Sequence, residues 1–319
     1  MNDDPLGAVL RDRLGETLGH EVDVRELRRL TGGASHETWA CELVDGARTE
    51  KLVVRRDIED GLLEGDGAGE FALLRALHGI GLPVPRQWLH VPGLTVMERV
   101  PGTDARKVLA GPGHGLDPHA LGLQLVDIQA SLHGVDWHAH LAGTIAPAED
   151  EVARWARVLD GSRVEPEPVL DAALSWLTAH PPRATEPRLV HGDFKANNVL
   201  VSPDGRATVI DWEMAHLGDP VEDLAWTLLW AAEADLVGGM LERDEYLQAY
   251  ERASGNAVDP EALFFWELFA LVKLAAIFLT GVRAGGAGLP TLMMLGRATP
   301  VLERRILARL RSALERDAA

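Results

Sequence analysis

The chain has 319 residues, 46% of them hydrophobic, which supports a sizeable core and more than one typical domain. A net charge of −18 with no basic run excludes a nucleic-acid surface, and a single cysteine, Cys41, excludes an internal disulfide. The twelve histidines show no zinc-ligand spacing.

The N-terminal MNDDPLGAVLRDRLGE is acidic and amphipathic and lacks the basic and apolar regions of a secretory signal, so the expected compartment is the cytoplasm. Leu10, Leu14 and Leu18 predict a helix over 6–18. A strand over 22–30 leads into a turn with Gly32, Gly33 and Ser35, and a second strand covers 39–43. Strand, Gly-rich turn, strand is a context in which backbone N–H groups can approach phosphate oxygens, although an ordinary hairpin has the same pattern. Leu52 to Arg56 reads as a third strand. The stretch GLLEGDGAGE reads as a linker despite its glycines, and Glu70 opens a helix to Leu77. A rigid Leu82-Pro83-Val84-Pro85 connector precedes a hairpin of 87–91 and 94–97, which runs into Glu98-Arg99-Val100-Pro101-Gly102.

The C-terminal portion reads as largely helical. Asp117-Pro118 begins a helix through His133, with Asp at the cap and Pro in the first turn. Further helices are predicted over 152–159 and 169–179, joined by an acid- and proline-rich loop over 162–168. Leu263 to Val282 is apolar enough to raise a membrane span, but Glu267 and Lys273 fall inside it, and a buried helix is the better reading. A glycine cluster at 285–288 ends it, and a final amphipathic helix covers 302–314.

The stretch from Arg188 to Trp226 organises the chain. Leu189-Val190 leads into a polar loop from His191 to Asn198. Strands over 199–201 and 207–210 then flank a Pro203-Asp204-Gly205 turn and deliver Asp211. Phosphoryl transfer is mostly positioning and charge neutralisation, and needs a carboxylate at the attacking hydroxyl and ligands for a phosphate-bridging metal. His191-Gly192-Asp193 followed by Asn198 matches a kinase catalytic loop, with Asp193 as base and Asn198 as metal ligand. Asp211 offers a second hard oxygen ligand, suited to magnesium. Glu213 is a further metal candidate if the backbone from Asp211 is extended.

HGDxxxxN, IDW and GDPxxDLA in that order resemble the aminoglycoside phosphotransferase family. DWEMAHLGDPVEDLAW and the helix wording FFWELFALVKLAAIFLTGV are most similar to the phosphotransferase-like domains related to those fused to acyl-CoA dehydrogenases, where a basic residue also occupies the Lys273 position. The resemblance implies an α+β, protein-kinase-like fold with a small antiparallel-sheet lobe over 1–100 and a mainly helical lobe over 101–319. It implies ATP and Mg2+ as cofactors, Lys195 as a phosphate-neutralising lysine, and Asp219 and Asp223 as supports of the catalytic loop. It also implies a phosphate contact from Ser35. Arg55 stands where protein kinases carry lysine, and its planar charge can still grip a phosphate. Glu70 is its natural ion-pair partner, and Met97, Glu98 and Val100 would border the adenine.

The expected partner is a small-molecule hydroxyl acceptor, with no nucleic acid and no membrane. The acidic balance, with inserts Glu149-Asp150-Glu151 and Glu165-Pro166-Glu167, suits a polycationic antibiotic. The motif wording instead favours a hydroxylated acyl group, for which Trp212, Trp226 and Trp230 could supply apolar walls. An aminoglycoside or macrolide phosphotransferase is the alternative. A nucleotide-binding pseudoenzyme is another, given Arg55 and the degenerate glycine loop.

Overall fold

The computed structural model describes residues 5–30, 36–57, 67–110, 115–145, 150–231, 240–286, 296 and 299–317. In chain order the elements are α1 (Pro5–Leu18), β1 (Asp23–Arg29), β2 (His36–Asp45), β3 (Arg48–Asp57), α2 (Ala68–Gly79), β4 (Gln87–Val91), β5 (Leu94–Glu98), β6 (Thr103–Asp104), α3 (Ala105–Ala110), α4 (Pro118–His133), α5 (Trp137–His140), α6 (Glu151–Ser162) and α7 (Pro168–Ala179). They continue with β7 (Arg188–Val190), a 3₁₀ turn (Ala196–Asn198), β8 (Val199–Val201), β9 (Ala207–Val209), β10 (His216–Gly218), α8 (Pro220–Ala231), α9 (Arg243–Ser254), α10 (Pro260–Gly286) and α11 (Thr299–Asp317). These elements pack as two compact units, Met1–Leu116 with Asp136–Ile145 and Ala196–Glu213, and Asp117–Val135 with Ala146–Lys195 and Met214–Ala319.

In the first unit, β1-β2-β3-β5-β4 form a five-stranded sheet whose pairings are all antiparallel. Leu10 and Leu14 of α1, four residues apart and so on one helix face, share a core with Leu43, Leu52, Val54 and Val96 of the sheet. Cys41 is buried there too as a small core residue, and burial pushes its thiol up to about 11. Strands β2 and β3 run longer than expected, because charged residues such as Arg48 and Lys51 tolerate a sheet wherever their faces meet water. The β8–β9 hairpin belongs to this unit. Its Val209 N–H donates to Pro83 O in the rigid connector at 2.8 Å, and β8 pairs with β6. Gly102, at φ +140°, lets that chain pass close: a Cβ there would lie 2.5 Å from Val201 O.

The second unit is built on α10, which is packed by α6, α7, α8 and α11. It is the one described helix long and apolar enough to cross a membrane, and its buried run from Ala262 to Ala276 makes it a core helix. Helix α4 begins as predicted, with the Asp117 carboxylate accepting from His119 N–H at 3.0 Å and Pro in the first turn. Helices α8 and α9 were not anticipated individually. Helix α9 carries signals for its ends, with Asp244 and Glu245 in its first turn, Arg252 in its last and Gly255 at φ +72° just beyond. Strand β10 pairs with β7 and was also unforeseen.

Candidate active site

In the second unit, β7 ends at Val190 and the polar loop begins. Asp223 of α8 accepts the N–H groups of His191 and Gly192 at 2.7 and 2.8 Å. Burial acts to raise the Asp223 carboxyl, but the hydrogen bond and charge of His133 and the donated amides hold it below its usual range. His133 is itself oriented by the Tyr250 hydroxyl at 2.7 Å. Gly192 sits at φ +78°, and a Cβ there would lie 2.5 Å from Met214 O, so both conformation and space demand glycine. The Asp193 N–H donates to His191 Nδ1 at 3.1 Å, which makes that nitrogen an acceptor. The Asp193 carboxylate is held on both oxygens: Trp226 Nε1 donates to Oδ1 at 2.8 Å and Lys195 Nζ lies 2.8 Å from Oδ2. Phe194 O accepts from the Thr227 hydroxyl at 3.1 Å.

Beneath this loop lies an ionic cluster. Lys273 of α10, 1% exposed, donates to Gly192 O at 2.8 Å and to Glu222 at 3.1 Å. His216 Nε2 is 3.1 Å from the other Glu222 oxygen. Burial lowers the His216 imidazole, but the charge and hydrogen bond of Glu222 outweigh it and raise the group to about 9. Glu222, which burial alone would raise, is held below its ordinary value by Lys273 and His216.

The first unit carries the other expected ligands. Asn198 closes the 3₁₀ turn, and its carbonyl accepts from Ile210 N–H at 2.9 Å, so Asn198 and Asp211 belong to the same end of one hairpin. Asp211 is at φ +68°, an uncommon conformation for a residue with a side chain. Arg55 of β3 donates to Glu70 of α2 at 2.9 Å, the pairing the sequence anticipates, and lies 3.7 Å from Glu213. Burial disfavours the Arg55 cation, yet Glu70, Asp211 and Glu213 together hold it above its ordinary value. Glu70 also accepts from Trp212 N–H at 3.3 Å. Met97 and Glu98 end β5, where Glu98 N–H donates to Arg86 O, and Val100 follows two residues on. Gly32, Gly33 and Ser35 lie outside the described residues.

Several expectations change. Glu213 cannot be aligned with Asp211 by extended-strand alternation, because Asp211 is left-handed; its carboxylate faces Arg55. Asp219 does not support the loop by hydrogen bonds: it accepts from Val221 N–H in the first turn of α8 and from Trp266 Nε1. Trp212 and Trp226 are buried, with their indole N–H groups spent on Val209 O and Asp193, so neither is an acceptor wall. The side chain of Trp230 lies outside the described residues. The acidic inserts are partly structural. Asp150 caps α6, Glu151 is buried against Trp155 Nε1, and Glu167 is buried, while Glu149 is undescribed. Glu222, Thr227, His133 and the contact of Lys273 with the loop were not foreseen. Lys273 had a sequence signal, since a lone lysine deep in an apolar helix needs a buried partner.

The profile of the phosphotransferase enzyme family (APH) matches residues 26–265. Mouse (Mus musculus) acyl-CoA dehydrogenase family member 10 is 28% identical over 245 residues, 71% of this chain but 22% of that protein. The chain spans about a fifth to a third of the length of the curated relatives it matches. A solved protein of Ralstonia eutropha JMP134, assigned as an aminoglycoside phosphotransferase, shares the fold with TM-score 0.75 and 21% identity, over 96% of this chain and 97% of that one. A thermostable mutant of aminoglycoside phosphotransferase APH(4)-Ia, solved with AMP-PNP and hygromycin B, superposes with TM-score 0.61 and 20% identity, over 95% and 98%. At these identities the structures establish the fold, which is the kinase-like one.

Proposed function

The chain belongs to the phosphotransferase enzyme family, and on that premise we propose that it moves the γ-phosphoryl group of ATP to a hydroxyl of a small molecule. The reading rests above all on the second-unit loop, where Asp193 is fixed through its backbone and through both carboxylate oxygens. That is the preparation a base-positioning group requires, since transfer depends on orienting the attacking hydroxyl. Asp193 would accept the proton of the acceptor hydroxyl, and Lys195 would offer its ammonium to phosphoryl oxygens.

In the first unit, the Asn198 amide and the Asp211 carboxylate are hard oxygen donors at one hairpin end, a set that fits magnesium. The metal, when bound, neutralises charge on the phosphates. Arg55, steadied by Glu70, would grip phosphate in place of lysine, which favours an active enzyme over a pseudoenzyme. Glu213 would serve as a further metal ligand only by leaving Arg55. Gly32, Gly33 and Ser35 would cover the phosphates, and Met97, Glu98 and Val100 would border the adenine. A fold neighbour solved with AMP-PNP supports the nucleotide.

The acceptor in this reading is a hydroxyl on an acyl-type molecule. Kinship with part of an acyl-CoA dehydrogenase family member supports it. The burial of Glu151 and Glu167 also removes part of the acidic surface that an aminoglycoside would use. The second reading, antibiotic phosphorylation, draws on the net charge of −18. A transfer screen with γ-labelled ATP against hydroxyacyl-CoA, aminoglycoside and macrolide panels separates them. Turnover is expected on hydroxyacyl compounds, and robust turnover of antibiotics alone would reverse the order. In Asp193→Asn the transfer rate is expected to fall by about 10²–10⁴-fold with Mg-ATP affinity retained; unchanged turnover would remove Asp193 from the reaction.

A further inference from the structure

We infer that Lys273 is a positioning residue for Asp193, setting the orientation of the base from the middle of α10; this rests on the phosphotransferase reading above. Both routes to Asp193 meet its ammonium. Along the backbone, the peptide group joining Gly192 to Asp193 is held at each end: Lys273 Nζ donates to its carbonyl at 2.8 Å, and its N–H donates to His191 Nδ1 at 3.1 Å. Along the side chain, Nζ lies 4.9 Å from the centre of the Trp226 ring, whose Nε1 donates to Asp193 Oδ1. A second ring, Trp155, lies 5.5 Å from Nζ. A carboxylate, a carbonyl and two aromatic faces thus hold the cation in one place.

Stability of the helix alone does not explain this arrangement. Taking an ammonium to 1% exposure is costly, and an apolar side chain of similar volume in the same helix would avoid that cost. What the ammonium adds is a directional bond to the peptide that carries the base. Glu151, His216 and Glu222 bring ligand atoms within 4.8 Å of one another, and the ammonium of Lys273, bonded to Glu222, already places a cation among them.

The test is Lys273→Met, which keeps the length of the stem and removes the charge. Two readouts are taken on the full chain: steady-state turnover of Mg-ATP, with water or an acceptor from the screen, and amide hydrogen exchange resolved by peptide. Turnover number is expected to fall about 10²-fold, because small misplacement of a reacting group is enough for that loss, while the KM for ATP stays within about twofold. Exchange is expected to accelerate about tenfold or more for the amides of 191–195, with α4 and α9 unchanged. A merely structural lysine would instead speed exchange uniformly through the unit and lower turnover only with global stability; that result, or wild-type turnover in the folded variant, overturns the proposal. Lys273→Gln is the second variant. Failure of both to fold would assign the residue to stability and equally overturn it. If the wild-type chain transfers no phosphoryl group at all, the phosphotransferase reading fails, and the exchange pattern alone still decides whether Lys273 holds the loop.

Discussion

Each unit carries one ion-pair cluster among its candidate functional residues, and the two clusters are built differently. Arg55, Glu70 and Glu213 are 15%, 16% and 22% exposed on their side chains, and Arg55 has a choice of carboxylates at 2.9 and 3.7 Å. Lys273, Glu222 and His216 are 1%, 3% and 8% exposed, and each Glu222 oxygen already has its own cation. Partial exposure lets a cation change partners at small cost, which suits a group meant to meet a phosphate. Full burial forbids an unpaired state, which suits a group meant to hold one geometry.

Glu222→Ala tests this contrast most severely. It strands two buried cations, and unfolding in urea is expected to show a loss of about 3–5 kcal/mol with an unchanged slope. A loss below about 1 kcal/mol, the scale of an exposed pair, would erase the distinction between the clusters.

Next in size is the pH dependence. His216 is raised to about 9 from 6.5, so the native state holds a proton that the unfolded chain releases sooner. The stabilisation is therefore complete below about pH 6.5 and is lost as pH rises through about 9, a span worth about 3 kcal/mol. Denaturation midpoints across pH 6–10 should fall in the wild type and flatten in His216→Asn over that window. A wild-type midpoint that rises there would contradict the cluster's charge state.

Asp211→Asn addresses the open side. Removing a carboxylate ligand is expected to weaken Mg-ATP binding about tenfold, or 1.4 kcal/mol, by calorimetry, with metal-free nucleotide affinity unaffected. Equal Mg-ATP affinity would remove Asp211 from the metal. Smallest of all, Arg55→Ala should lower stability by less than Glu222→Ala does in the same urea measurement while weakening nucleotide binding. A loss comparable to that of Glu222→Ala would show that Arg55 is a structural ion after all.

Most elements were legible because they follow local rules. Leu10 and Leu14 share a helix face, Asp117-Pro118 caps and opens α4, and Pro203-Asp204-Gly205 makes the turn between β8 and β9. Helix α9 was readable from its terminal charges and Gly255, but its buried face is carried by Tyr246, Ala249 and Tyr250 instead of an aliphatic stripe. Strand β10 is three residues long, and only its pairing with β7 defines it. The partners of Trp226 and Asp219 were not legible for a common reason: a residue type gives its chemistry but not its partner. Trp226 turned inward to Asp193, and Asp219 turned to Trp266.

By itself the sequence determined the order and spacing of the reactive groups, His191 through Asn198 and then Asp211, because a loop and a hairpin are short-range structures set by local turn and strand chemistry. It also placed Lys273 inside an apolar helix, where a charge buried without a partner is costly. Which partner was left to the tertiary structure. Lys273 and Gly192 are 81 residues apart and Asp193 and Trp226 are 33 apart, and no local propensity links them. Only the packing of α8 and α10 in one unit brings a carbonyl, a carboxylate and an indole within reach of one ammonium, and so decides how the base is held.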